Sequence, residues 1–408
     1  MVQQKVKYTD TERTPAERAR ALLEEMTLDE KMAQLGCIFP FGDSYDDMEQ
    51  QALEMPYGIG QVSTLEMRRI GTLEEAAGWQ RKMQETVMRQ SPHHIPAIFH
   101  MEGLCGAFIQ EGTSFPSGIA RGSGWDPELE EKIAKVVAKQ EAACGITHIL
   151  APVLDISRDS RMGRQGETYG EDPALAAALG AAYTKGIQTT EAGGRRPESV
   201  AKHFLGFHNS QGGIHGTNSD TPSRLMEEIY GKPFQSAISE SELKGVMPCY
   251  NSIDGEPASV SQRLLTELLR EKMGFDGLCV SDYGGINNAH EVQRIGETIG
   301  ETGLLAMEAG MDIEMPKATG YGEELKEMFR SGQADTELLD RTVLRVLEAK
   351  FRMGLFEHPF AMDGESCQKI FEEKEGAELS FRSARESMVL LKNNGILPLS
   401  GKIKKLAL

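Results

Sequence analysis

Polar side chains that could do chemistry stand at or near the ends of short apolar runs. They comprise two carboxylates, three cations, a histidine and a tyrosine: Glu102, Asp282, Arg158, Arg164, Lys202, His203 and Tyr250. Carboxylates accept hydrogen bonds from hydroxyl groups, whereas Arg and Lys side chains donate hydrogen bonds to them. No run is followed by the loop G-x-G-x-x-G, or by G-x-x-x-x-G-K with Ser or Thr, that would bind phosphate groups. The mixture therefore favours a neutral, polyhydroxylated ligand such as a sugar.

Asp282 is the strongest candidate for a nucleophile. It stands where the segment GLCVSD leaves an apolar run. A carboxylate at that point could attack an anomeric carbon, as one of two carboxylates does in retaining glycosidases. The competing structural interpretation is that Asp282 caps a following helix, because Asp is a favoured residue at helix starts.

Structural interpretations also exist for the cations. Lys202 and His203 could form ion pairs with Glu167 or Glu171, which only hold loops in place. Arg164 could neutralise the same acidic loop. In the functional interpretation, these three side chains instead contact the ligand.

Metal and serine-hydrolase chemistry is disfavoured. No pair of histidines has the H-E-x-x-H spacing of a helical zinc site, and no cysteine stands near the histidines. The G-x-S-x-G segment that positions a nucleophilic serine is also missing. We expect neither a metal nor a cofactor.

The elements that must position these residues follow a repeating pattern. Seven short apolar or β-branched runs alternate with amphipathic stretches, which predicts βα units on a parallel sheet: 58–65, 95–102, 146–155, 199–207, 243–251, 277–283 and 309–315. Seven or eight such units fit a (β/α)8 TIM-type barrel of about 250 residues or more, whose active site lies at the carboxyl ends of the strands. An eighth strand is unassigned, so the barrel is left either incomplete or irregularly closed. A doubly wound sheet is the alternative, disfavoured by the lack of phosphate loops.

Composition excludes several functions. The chain has 408 residues and a net charge of −18, which opposes binding to nucleic acids and to anionic membranes. No stretch reaches the roughly 20 apolar residues of a membrane helix, and the first residues lack a signal-peptide pattern. The six cysteines form no C-x-x-C pair, which predicts free thiols. A cytoplasmic location is expected.

The last part of the chain changes character. We predict a barrel domain over 1–356 and a linker over 357–385. Residues 386–408 are predicted to be the start of a second domain, with an apolar strand that begins at Ile403. A lone terminal strand has no evident partner, so we expect a truncated α/β sandwich domain at this end.

Several segments together resemble the N-terminal domain of glycoside hydrolase family 3, the β-glucosidase and β-xylosidase type. LLEEMTLDEKMAQL and IPAIFHMEGLCG open the match, and the others follow in the order of the family: SFPSGIARGSGWDPEL, APVLDISRDSRMGRQGETYGEDP, VAKHFLGF, EEIYGKPF, VMPCYNSIDGEPAS, LLTELLREKMGFDGLCVSDYGG and AGMDIEMP. The resemblance covers nearly the whole chain.

The resemblance implies a role for each candidate. Asp282 in VSDY matches the catalytic nucleophile of the family. The other matched residues hold the sugar or support the nucleophile: Glu102, Arg164, Lys202, His203 and Tyr250. Many β-glucosidases of the family have Asp where this chain has Glu102, and Glu is closer to its xylosidase-like members. The choice between glucose and xylose therefore stays open.

The resemblance also implies what this chain lacks. In two-domain members the general acid/base is a Glu of the sandwich domain, and no residue here matches it. Retention needs such a group about 5–5.5 Å from the nucleophile. We expect it outside this chain.

The expected function is an exo-acting, retaining β-glycosidase that releases one glucose or xylose unit from a short oligosaccharide or aryl β-glycoside, without a cofactor. One alternative is a β-N-acetylhexosaminidase of the same family, which would use His208, His215 and Asp220. Another is a catalytically incomplete sugar-binding fragment that needs a partner domain. Self-association and association with a missing C-terminal domain are both left open.

Overall fold

The centre of the fold is a parallel sheet. The computed structural model describes residues 6–41, 50–405 and 407. Within them, seven strands lie in the order β1-β2-β3-β4-β5-β6-β9. The parallel strands are β1 (Cys37–Ile38), β2 (Gln61–Ser63), β3 (Ile98–Met101), β4 (His148–Ile149), β5 (Glu198–Phe204), β6 (Gly245–Pro248) and β9 (Leu278–Cys279). The chain has an α/β fold in which this sheet curls.

Helices connect the strands and cover the sheet. Their bounds are Pro15–Leu23, Leu28–Ala33, Leu73–Gln90, Gly118–Gly124, Pro127–Ala143, Pro173–Gln188, Lys232–Ser241, Arg263–Lys272, Gly285–Glu291, Ile299–Ala309, Glu323–Ser331, Thr336–Arg352, Gly364–Phe371 and Lys374–Glu386. A short antiparallel hairpin of β7 (Ser252–Ile253) and β8 (Glu256–Pro257) is inserted between β6 and β9.

Two of the long helices begin where Asp-Pro pairs predict a start. The Asp126 side chain accepts a hydrogen bond from the Leu129 backbone N–H. The Asp172 side chain likewise accepts hydrogen bonds from the backbone N–H groups of the second and third residues of the helix Pro173–Gln188. In both helices the following proline occupies the first helical position, where its missing N–H costs no hydrogen bond. These helices, Pro127–Ala143 and Pro173–Gln188, pack against each other on the outside of the sheet.

The sequence left one strand unassigned, and the structure places it before the first predicted run. This strand, β1, pairs in parallel with β2. The last predicted run, 309–315, is not a full strand and makes a single parallel bridge between Ile313 and Val280. On its other side, the Glu314 backbone N–H donates to the Leu35 carbonyl over 3.0 Å.

The core consists of strand residues that meet the covering helices. Val62, Phe99, Ile149 and Val246 are all fully buried. Burying a side chain of this kind contributes about 1.5–3 kcal/mol to folding. Among the described helices, none is both long enough and apolar enough to span a lipid bilayer.

The C-terminal helices pack back onto the rest of the fold. Lys139 pairs with Glu373 at 3.1 Å, and Arg382 pairs with Asp126 at 2.5 Å. Beyond these helices the described residues have no helix or strand and expose several apolar side chains. The strand expected from Ile403 is not formed in residues 403–405 and 407. Leu406 and Leu408 lie outside the described residues.

Candidate active site

Asp282 follows β9 at the carboxyl end of the sheet. One of its oxygens, Oδ1, accepts a hydrogen bond from the Tyr283 backbone N–H over 2.7 Å. The other, Oδ2, is buried and has no hydrogen-bond partner among the described residues. Asp282 does not cap a helix, because the helix Gly285–Glu291 begins after Gly284 without any side-chain cap. The Oδ2 atom is therefore left without a donor from the described part of the chain.

Tyr250 lies beside this carboxylate. It stands two residues after the end of β6, and its hydroxyl donates to the Tyr283 carbonyl over 2.7 Å. Burial and the neighbouring Asp282 carboxylate both raise the pKa of the Tyr250 hydroxyl. The phenol thus stays neutral and remains a hydrogen-bond donor next to the carboxylate.

Lys202 and His203 are neighbours on β5, yet each has a partner at the site. In a regular strand, consecutive side chains point to opposite faces of the sheet. The register of β5 shifts between Lys202 and Phe204, and such a bulge re-aims a side chain. Lys202 Nζ donates to Glu102 Oε2 over 2.5 Å, and His203 Nε2 lies 3.7 Å from Asp282 Oδ2.

His203 is held as a neutral ring in one orientation. Burial keeps the pKa of His203 well below its usual value. Its Nδ1 lies 2.7 Å from Asp155 Oδ2, while Nε2 lies 3.2 Å from Arg164 Nη2. Because the guanidinium can only donate, Nε2 is the accepting nitrogen and Nδ1 carries the proton. Burial raises the pKa of Asp155 to about 6, so its carboxylate is charged at neutral pH.

Arg164 joins this histidine to the loop after β4. Its Nε and Nη2 donate to Glu167 Oε1 and Oε2 over 2.6 and 2.8 Å. Its guanidinium also lies 5.1 Å from the centre of the Phe207 ring. Burial favours the neutral form of Glu167, but the hydrogen bonds from Arg164 and the positive charges of Arg164 and Lys202 together outweigh it and lower the Glu167 pKa. Arg164 therefore neutralises this loop, as the structural interpretation predicted, and contacts His203 as well.

The ion pairs predicted for Lys202 and His203 in the structural interpretation are wrong, because both residues have other partners. Neither Lys202 nor His203 pairs with Glu167 or Glu171 in the described structure. Lys202 pairs with Glu102, and His203 pairs with Asp155.

The loop after β5 places one further histidine at the site. The His215 ring lies 4.8 Å from the Tyr250 ring and 5.2 Å from the Phe207 ring, measured between centres. Asp220 accepts hydrogen bonds from Gln211 and Asn218, and within the described part of the chain neither His208 nor His215 is its partner. An Asp-His pair of the hexosaminidase kind is therefore not formed here.

Contacts of two residues, Asp155 and Tyr283, were missed from the sequence. Asp155 ends the run APVLD, and only that position after a predicted strand could have drawn attention to it. The Tyr283 hydroxyl lies 2.6 Å from Ser63 Oγ and 2.8 Å from His100 Nε2, which belong to β2 and β3. These contacts tie Tyr283, the residue after Asp282, to two other strands.

The arrangement suits chemistry on a sugar. The Oδ2 atom of Asp282 lies 3.7 Å from the His203 ring and close to the Tyr250 phenol, and Glu102 supplies an accepting oxygen. Within residues 6–41, 50–405 and 407, no group of three or more His, Cys, Asp or Glu side chains could hold a metal ion.

Comparison with known proteins decides the family. Residues 27–349 match the description "Glycosyl hydrolase family 3 N terminal domain". The chain belongs to glycosyl hydrolase family 3. This family 3 chain is 34% identical over 331 residues to a β-xylosidase of Formosa agariphila, a match that covers 77% of the chain and 46% of that protein.

Solved structures agree with this assignment. A β-glucosidase from Erythrobacter marinus matches with a TM-score of 0.90 and 32% identity, over 96% of this chain and 52% of that one. A β-glucosidase from Listeria innocua, solved in complex with glucose, matches with a TM-score of 0.84 and 29% identity, over 94% and 53% of the two chains. The family 3 chain thus spans about half the length of these proteins.

Proposed function

We propose that this chain carries the nucleophile and the sugar-binding residues of an exo-acting, retaining β-glycosidase of the β-glucosidase and β-xylosidase type. The observation that carries the proposal is the free Oδ2 of Asp282, which lies 3.7 Å from His203 and beside the Tyr250 hydroxyl. Family membership and the Listeria innocua β-glucosidase with bound glucose support the substrate class.

The reaction follows from these positions. Asp282 Oδ2 attacks the anomeric carbon, the bond from that carbon to the leaving oxygen breaks, and a glycosyl ester forms on Asp282. Tyr250 donates beside the reacting oxygens and orients the carboxylate. Glu102 accepts hydrogen bonds from sugar hydroxyls. The sugar ring is positioned by Lys202, His203 and Arg164, so that its binding energy offsets the entropy lost on orientation.

The general acid/base is proposed to lie outside this chain. Three carboxylates near Asp282 are already engaged: Glu102 with Lys202, Asp155 with His203 and Glu167 with Arg164. A paired carboxylate is a poor proton donor because its partner stabilises the charged form. General acid/base catalysis raises a reaction rate about 10²–10⁴-fold. Without it, the turnover of unactivated glycosides by this chain should be slow.

We also propose that the curled sheet closes into a (β/α)8 barrel. The segment around Ile313 supports this, because it bonds to the strand end at Val280 on one side and to Leu35 on the other. In a closed barrel, the loops that carry Asp282 and Glu102 would face each other across the carboxyl end. The domain division at 356 and 385, with the start of a further domain after it, stays a proposal as well.

The test compares leaving groups. Dinitrophenolate needs no proton to leave, whereas an alkoxide does. We expect the chain to release dinitrophenol from its β-glucoside or β-xyloside while it barely hydrolyses the methyl glycosides. Hydrolysis of both kinds at rates normal for glycosidases would contradict the proposal that the acid lies elsewhere. Absence of both binding and hydrolysis would contradict the glycosidase proposal itself.

The hexosaminidase alternative rests on His215, the one residue of its proposed pair that lies beside Tyr250, whereas Asp220 is bonded to Gln211 and Asn218. It predicts that nitrophenyl N-acetyl-β-glucosaminide is the best substrate and that His215→Phe abolishes its hydrolysis. The sugar-binding fragment, in contrast, predicts binding without any hydrolysis.

The proposed partners are a short oligosaccharide or aryl β-glycoside, without nucleic acid or membrane. A cytoplasmic location is proposed too, supported by the six free cysteines. Cell fractionation with an antibody to the chain would test it.

A further inference from the structure

Two buried thiols, those of Cys144 and Cys367, lie next to each other. Cys144 directly follows the helix Pro127–Ala143, and Cys367 lies on the C-terminal helix Gly364–Phe371. Both are fully buried, and the two thiols are close enough to shift each other's pKa. Cys367 Sγ also lies 3.5 Å from the Ala143 carbonyl, which places it at the end of the other helix. The pair joins the C-terminal helices to the part of the chain that carries the site.

A buried cation beside the pair lacks a carboxylate. The Arg195 side chain is 1% exposed and donates only to backbone carbonyls, those of Ala142, His358 and Phe360. No carboxylate pairs with it among the residues that the structure describes. A buried charge normally has a counter-charge, because desolvation of an unpaired ion is costly. The groups nearest to Arg195 that can become negative are the thiols of Cys144 and Cys367.

We propose that Cys144 and Cys367 form a reversible disulfide, a redox modification site that fastens the C-terminal helices to the rest of the fold. The cation favours the thiolate, which is the reactive form of cysteine. Cys367 lies on a surface helix of eight residues, whereas Cys144 directly follows the 17-residue helix Pro127–Ala143. Cys367 is therefore the sulfur that an oxidant reaches first, and Cys144 is the resolving one.

The chemistry needs a small disulfide as oxidant, such as oxidised glutathione. The Cys367 thiolate attacks one sulfur of the oxidant, whose S–S bond breaks and releases one glutathione thiolate. The Cys144 sulfur, after it loses its proton, attacks Cys367 and displaces the second glutathione. Two protein thiols are oxidised to one disulfide, and one oxidised glutathione is reduced to two thiols.

The oxidant reaches the buried thiols when the helix that carries Cys367 opens locally. Gly364–Phe371 has only eight residues, and the buried residues on its inner face are Cys367 and Phe371. Local opening of so short a surface helix requires less free energy than global unfolding. In the described part of the chain, the hydrogen bonds of the other buried cysteines do not go to a second thiol: Cys279, for example, contacts the Met311 sulfur at 3.9 Å.

The experiment treats the full chain with oxidised glutathione under native conditions and records intact mass and tryptic peptides. We expect a loss of two hydrogens, a cross-link between peptides 140–158 and 353–369, a rise in Tm, and reversal by dithiothreitol. Cys144→Ser and Cys367→Ser should each lose the cross-link, whereas Cys279→Ala should keep it.

Other outcomes overturn the proposal. These are no bond in the folded protein, a bond between other cysteines, or a glutathione adduct on Cys367 that persists in the wild type. In Cys144→Ser, that adduct is expected, since the resolving thiol is gone. A folded Cys144→Ser protein that accumulates no adduct would contradict the role given to Cys367.

Discussion

Asp155 fixes the ring of His203. The His203 Nδ1 lies 2.7 Å from Asp155 Oδ2, and the His203 backbone N–H donates to Asp155 Oδ1 over 3.3 Å. The opposite ring nitrogen of His203 lies 3.7 Å from Asp282 Oδ2. Asp155 thus positions the His203 ring, whose opposite nitrogen faces Asp282.

Asp155→Asn should slow formation of the glycosyl ester. The Asn side chain can donate to Nδ1 and so favours the tautomer with the proton on Nε2, which faces the Arg164 guanidinium. We expect the rate of labelling by a dinitrophenyl 2-fluoroglycoside to fall at least ~10-fold, because a wrong histidine tautomer disables the group it orients. A labelling rate equal to that of the wild type would show that the tautomer is irrelevant.

Asp155 should also leave a signature in the dependence of stability on pH. Burial raises its pKa to about 6, so the folded state holds this proton more tightly than the unfolded state. Its contribution to stability is complete below the unfolded pKa near 4 and is lost as the pH rises through 6. Asn cannot titrate. The free energy of unfolding of the wild type, relative to that of Asp155→Asn, should therefore fall by up to about 1.4 kcal/mol per pH unit between pH 4 and 6.

That pH experiment has a clear negative result. If urea unfolding at pH 4, 5, 6 and 7 gives a constant difference between the two proteins, the Asp155 carboxyl does not change its protonation in the folded state within this range. The structural account of the His203 proton would then need revision.

Tyr250→Phe should impair catalysis more than folding. It removes a hydroxyl that donates to the Tyr283 carbonyl beside Asp282. The matched control is Tyr321→Phe, because the Tyr321 hydroxyl donates to the Met311 carbonyl over 2.8 Å in the same kind of bond. Both variants should lose about 0.5–1.5 kcal/mol of stability. Only Tyr250→Phe should label more slowly, by at least ~10-fold, as expected for a donor at a reacting group.

Glu102→Gln should destabilise the fold and weaken sugar binding. It leaves Lys202, whose side chain is 4% exposed, with a neutral partner. We expect a loss of about 1–3 kcal/mol in urea unfolding, below the value for a fully buried pair, since Glu102 is partly exposed. The control Asp340→Asn breaks the more exposed pair with Lys31, and should cost at most about 1 kcal/mol. Equal losses in the two variants would contradict the special position of the Glu102 pair.

The sequence predicted much of the sheet because each run that contains one of the strands β2 to β6 or β9 is bounded by polar or turn residues. It missed β1 because this strand lies within a continuous apolar stretch, which carries no alternation. It overestimated the run 309–315, where pairing is reduced to one bridge.

The candidate site was predictable as a set of residues but not as a set of contacts. Runs and motifs placed Asp282, Lys202 and His203 at one end of the sheet. The partners of these residues depend on loop conformation: Asp155 lies in the strand-end loop of another unit, and no local pattern links it to His203. The bulge in β5 that brings two consecutive side chains to one site is a tertiary feature as well.

The most direct test of the account is covalent trapping. A dinitrophenyl 2-deoxy-2-fluoro-β-glucoside or xyloside forms a stable ester on the nucleophile and needs no acid to do so. The account predicts one added fluorosugar in the intact mass, on tryptic peptide 273–294 and on Asp282 within it, with no addition in Asp282→Asn. A label on another residue, or sugar binding without any label, would contradict the role of Asp282.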